Sequence, residues 1–218
     1  MRAYLEAGNK KVFAVALDWL GLARWGKTVD AAMEALVAYA PRYISSLGSA
    51  AKDLRAPVAT TDIDVVTRLA GNKTTDFGAP AAIFPADRAQ ATERDLDAAI
   101  VYLQAAWDAF DTAVKRARGK TLAPSGPRGG GRSVDKMAAH VREADLGYVS
   151  AIGGNSKPAG TPWPEVQRNF SAALRARNAG QLPDFGPRGG ERWPAMFAMR
   201  RSAWHSLDHT WELEDRSG

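Results

Sequence analysis

The chain has 218 residues, 45% of them hydrophobic and seven of them tryptophan, enough for a packed core in one large domain or two small ones. It has no cysteine, which excludes disulfides and a cysteine nucleophile, so any thiol chemistry must take its sulfur from a ligand. The net charge of +5 is spread along the chain with no basic-aromatic recognition motif, which argues against a nucleic-acid interface and suits a pocket for a small anionic substrate.

Residues 2 to 7 and 11 to 17 are short β-branched or aromatic stretches around the turn Gly8-Asn9-Lys10, and they predict a hairpin. The first eleven residues lack the apolar run of a signal peptide, and Asp18 interrupts the longest early apolar stretch, so the expected setting is cytoplasmic with no membrane contact. A third strand is predicted from Leu22 to Trp25, ending at Gly26. Thr28 then stands where an N-cap belongs, and Asp30 favours the first turn of a helix. Met33, Leu36, Val37, Ala40, Tyr43, Ile44 and Leu47 keep a 3.6-residue period, with Pro41 expected to kink or restart the helix. Asp62 to Leu69 reads as one more strand for this sheet. Residues 71 to 80 read as loop, and the domain boundary is placed near residue 85.

Thr92 to Arg118 predicts a long bundle helix through Leu96, Ile100, Leu103, Trp107, Phe110 and Val114. A second, capped by Ser133, runs to Ile152 and carries His140. A third spans Pro162 to Ala179 and stops at Gly180. A fourth starts near Arg192 with Trp193, Phe197, Trp204, Leu207 and Trp211 on one stripe and His205 and His209 on another, so it must bury two faces and join the two halves. The expected class is α+β: residues 1–85 form a small sheet-and-helix module with a linker, and residues 86–218 a four-helix bundle.

His205 and His209 lie one helical turn apart on one face, where both can hold a single transition-metal ion. His140 is the only other histidine in the sequence, and all three could meet. Zinc, nickel, iron and copper all accept such a set. Ala198 and Ser202, seven residues before the pair, and Gly147, seven after His140, would leave space above the imidazoles. Glu143 and Glu212 each follow a histidine by three residues. Glu212 is the candidate to orient an imidazole and Glu143 the candidate base. Pro127-Arg128-Gly129-Gly130-Gly131-Arg132 is echoed by Pro187-Arg188-Gly189-Gly190-Glu191-Arg192, each ahead of a histidine helix. Arg128 and Arg188 are therefore candidates to hold a carboxylate or phosphate, against the plainer reading of two glycine-rich connectors. Ser206 lies off the histidine face and has no nucleophile motif around it.

The segments His140 to Tyr148 and Trp204 to Arg216 resemble the second and last helices of the DinB-like superfamily of four-helix bundles. That resemblance implies His140, His205 and His209 as the ligands of a divalent transition metal (zinc, nickel or iron). It also implies a transferase or isomerase that uses a low-molecular-weight thiol. A three-histidine iron site activating oxygen, and a non-enzymatic metal- or partner-binding protein, remain alternatives. More weakly, Asp18 to Leu22 followed by Gly26-Lys27-Thr28 and the alanines at 31, 32 and 35 resembles a HicB-type α/β module, which implies a protein-binding or structural role. A homo-oligomer is compatible with both resemblances.

Overall fold

The computed structural model describes residues 1–124 and 131–218. Three strands, β1 (Arg2–Ala7), β2 (Val12–Ala16) and β3 (Ala23–Gly26), form an antiparallel meander. Helix α1 (Val29–Leu47) carries the chain across the sheet to β4 (Asp64–Ala70), which pairs parallel to β1, giving the order β3-β2-β1-β4. Thr28 caps α1 by accepting from the Ala31 amide at 3.1 Å. Pro41 stands inside α1 without ending it, so of the kink or restart expected there the helix shows no restart. The apolar stripe packed on the sheet holds it through the missing amide.

Both faces of the sheet are covered. Ala3, Leu5, Ala14 and Ala16 share a core with α1, while Tyr4, Phe13, Val15 and Ala23 meet Trp204 and Ala79 on the other side. A short helix, α2 (Lys73–Phe77), stands where loop was expected, started by Asn72 accepting from the Thr74 amide at 2.8 Å. The segment after it is held under the sheet by the fully buried carboxylate of Glu6. That group accepts from the Thr75 hydroxyl and from the amides of Ala81 at 2.8 Å and Ala82 at 2.9 Å. Three donors to one carboxylate satisfy a charge that would otherwise be costly to bury.

Four further helices follow: α3 (Glu93–Ala117), α4 (Val134–Ala151), α5 (Trp163–Asn178) and α6 (Ala195–Ser217). Together they carry the α+β architecture, sheet first and helices after, that the sequence predicts. Helix α6 packs along α3 and also against the sheet, and one apolar core runs without interruption from Leu5 and Leu36 to Trp107, Phe170 and Leu207. On its sheet side Gly21 presses against Ala203, Arg24 pairs with Asp208 at 2.8 Å, and the Phe13 and Trp204 rings meet edge to face. Trp211 reaches α1, where its indole N–H donates to the Ser46 hydroxyl at 3.0 Å. Among the described residues no helix is long and apolar enough to cross a membrane.

Candidate metal centre

Two backbone features bring the histidines together. The Trp193 amide donates to the Ala151 carbonyl at 2.9 Å and the Arg192 guanidinium to the Ser150 carbonyl at 2.6 Å, so the end of α4 is tied to the residues that open α6. His140 lies eleven residues back from that junction on α4, and His205 lies twelve on from it toward α6. At 1.5 Å per residue both sit about 16–18 Å from the tie, and hence at one level.

The ring nitrogens of His140, His205 and His209 lie within 4.8 Å of one another, one from each residue. His205 and His209 are each 8% exposed, and His140 is half-buried. The Nε2 atoms of His140 and His205 stand 3.1 Å apart. Imidazoles about 2.0–2.1 Å from one tetrahedral ion stand about 3.3 Å from each other, so this pair has the separation of two ligands. The third imidazole closes on the same point through Nε2, because its Nδ1 is engaged by Glu212 Oε2 at 2.8 Å. Hydrogen bonding from His209 holds the Glu212 carboxyl below its ordinary range. As a carboxylate Glu212 can only accept, so Nδ1 of His209 is the donor, and Nε2 is the atom left to face an ion.

Arg216 completes this arm. It donates to Glu212 Oε1 at 2.8 Å, to the Ala123 carbonyl at 2.8 Å and to the Arg132 carbonyl at 3.2 Å, and it lies so close to Gly131 that a side chain there would meet the guanidinium. The connector flanking α3 and α4 is thus fastened to the carboxylate that orients His209.

Burial is the main cause that pushes the His205 imidazole well below its ordinary range, and the neighbouring imidazoles and the guanidiniums of Arg201 and Arg132 add to it. His140 is lowered as well, first by burial and then by Arg132. Both rings therefore favour the neutral form that ligation requires. Nδ1 of His205 is buried without a hydrogen-bond partner among the described residues. The Trp204 indole lies beside the same ring, stacked at 6.0 Å, and the Tyr148 ring at 6.3 Å.

The space expected above the imidazoles at Ala198 and Ser202 is filled. Both are fully buried, and the Ser202 hydroxyl donates at 2.6 Å to Asp145, which also accepts from the Trp107 indole at 2.9 Å. Desolvation pushes the Asp145 carboxyl up to about 7. At Gly147, by contrast, a side chain would meet nothing. Glu143 is exposed, one turn beyond His140, and raises that imidazole's affinity for protons by its charge. Arg188 is exposed and lines a cleft with Arg192 and Trp193, whose indole contacts Tyr148 at 5.4 Å. Arg128 lies outside the described residues.

Arg201 and Tyr148 were not singled out in the sequence, where each is one more cation or aromatic on a helix. A signal was present, since Arg201 stands one turn before His205 and Tyr148 two turns after His140. No family model, curated protein or solved structure matches the chain.

Proposed function

We propose that the protein is an intracellular DinB-like metalloprotein, a transferase or isomerase acting with a low-molecular-weight thiol. The observation that carries this reading is the convergence of three imidazoles within 4.8 Å, two of them buried, in a chain without cysteine. His140, His205 and His209 would hold a divalent transition ion through Nε2, with Glu212 keeping the Nδ1 proton on His209. Such an ion would supply a Lewis-acidic position that favours the thiolate form of a bound thiol. The ligands are uncharged, which suits an open site with exchangeable positions better than a closed structural one. Glu143, exposed one turn from His140, would be the base that exchanges a proton at the rim, and Arg188 would hold an anionic group reaching farther out. The N-terminal module, HicB-like by resemblance, gives α6 its second packing surface.

Metal analysis of protein purified without a histidine tag tests the reading. Stoichiometric zinc or nickel supports it, bound iron turns it toward oxygen activation, and no uptake under replete conditions leaves a partner-binding protein. For the thiol, cobalt(II) loading should give a sulfur-to-cobalt charge-transfer band with a small thiol in wild type and none in His205→Ala.

A further inference from the structure

Arg200 and Arg201 are adjacent on α6 yet differ in how their charge is met. Arg200 is neutralised: its guanidinium faces the buried carboxyl of Asp87 at 3.2 Å and donates to the Leu17 carbonyl at 2.8 Å. Arg201 is half-buried, donates to the Pro80 carbonyl at 2.8 Å, and lies over the Trp204 ring at 4.8 Å. Among the described residues no carboxylate pairs with it. A guanidinium has five N–H donors, so most of this fork is uncommitted. Its other neighbour is the Tyr148 hydroxyl.

These groups all stand beside His205, since Trp204 stacks on that imidazole and Tyr148 meets it edge-on. The charges acting most strongly on His205 are positive, Arg201 and Arg132 among them. The two α6 carboxylates that follow the histidines by one turn are both engaged, Asp208 by Arg24 and Glu212 by His209 and Arg216. Adding a dication to three neutral imidazoles would leave a cluster of positive charge in a largely desolvated place, and only an incoming anion can balance it. A planar guanidinium with free donors beside a phenol matches a carboxylate, which takes two parallel N–H bonds and one O–H bond.

We propose that the substrate of this site carries a carboxylate, anchored by the Arg201 fork with the Tyr148 hydroxyl donating beside it, next to His205. This rests on the metal and thiol reading above. It places the anion-binding charge inside the helical half rather than in the glycine-rich loops, and it selects ligands in which the carboxylate lies a short span from the sulfur.

The full chain loaded with cobalt(II) is titrated with mercaptoacetate and with mercaptoethanol, which share the thiol and differ in the carboxylate. Wild type should bind mercaptoacetate more tightly, and Arg201→Gln should lose about tenfold of that preference while its cobalt content and its affinity for mercaptoethanol stay unchanged. Arg201→Lys, which keeps the charge without the fork, should retain part of the preference, and Tyr148→Phe should lose a few-fold. These two variants carry the test if Arg201→Gln does not fold. A preference that persists in all three variants, or equal affinity of wild type for both thiols, would overturn the anchor and leave the metal reading standing. Failure of wild type to take up cobalt, or no spectral response to either thiol, would overturn the reading beneath it as well.

Discussion

The Nε2 atoms of His140 and His205 face each other at 3.1 Å across 65 positions of sequence, a distance that suits one imidazole donating to the other and equally suits two ligands of one ion. An ion between them and His209 would take the Nε2 lone pairs of both. Wild-type protein should therefore take up one zinc or cobalt ion per chain, and His205→Ala should weaken uptake more than about 100-fold with the far-ultraviolet circular dichroism unchanged. Calorimetric titration of both proteins checks this. Equal affinity would remove His205 from the ligand set.

Glu212 and Arg216 act on the same imidazole from behind. Glu212→Gln should lower zinc affinity about 10–100-fold, because the amide no longer holds the His209 Nδ1 proton as a carboxylate does. Arg216→Met should act in the same direction but less, since Glu212 keeps its carboxylate and loses only its fastening. Competition against a chromophoric chelator gives both numbers. An Arg216→Met protein with a larger loss than Glu212→Gln would contradict this order of action.

Asp145 gives a pH signature away from the imidazoles. Its folded-state pKa of about 7 lies above the ordinary 3.8, so the folded protein holds the proton more tightly than the unfolded chain. The stability this confers is fully present below the ordinary value and is lost as pH rises through about 7. Asp145→Asn mimics the protonated group, with its amide able to donate to Ser202 and its oxygen to accept from Trp107. The variant should match wild type at acidic pH and exceed it at pH 8, by on the order of 1–3 kcal/mol. Urea unfolding at the two pH values decides.

Gly21 tests how closely the two halves are joined. Its φ of +88° disfavours any side chain, and a Cβ there would fall 2.6 Å from the Ala203 Cβ and 2.9 Å from the Trp204 amide nitrogen. Gly21→Ala should cost about 2–4 kcal/mol, against roughly 1 kcal/mol for Gly48→Ala, where φ is +52° but the surroundings are open. Because α6 serves both cores, the loss should appear in a single unfolding transition followed by tryptophan fluorescence and by circular dichroism alike. Two separated transitions would show the sheet melting on its own.

Local chemistry made most elements legible. Thr28 and Ser133 as caps, the stripe from Leu96 to Val114, and the two faces of α6 each follow from side chains within a few residues of one another. The i,i+4 histidines were visible for the same reason. What escaped depends on long-range partners. The parallel pairing of β4 with β1 is fixed by the α1 crossover, and α2 is held by Thr75 bonding a glutamate 69 residues away. Ser202 looked like a small residue leaving room, but Asp145 and Trp107, on two other helices, turn it into a filled hydrogen-bond junction. Arg201 could not be told from Arg200 until Asp87 was seen to claim only one of them.

The Arg24–Asp208 pair spans 184 positions, and the sheet face at Phe13 is closed by a tryptophan from that same distant helix. During synthesis at about 5–20 residues per second, the four-stranded sheet would leave the ribosome roughly 7–30 s before its covering helix is complete. Through that interval Phe13 and Val15 lack Trp204, which leaves Ala79 and Phe84 to cover this apolar sheet face, a surface that invites pairing with other nascent chains. Yield in cells should therefore depend on chaperone supply and on translation speed over the last fifty codons, independently of how stable the finished molecule is.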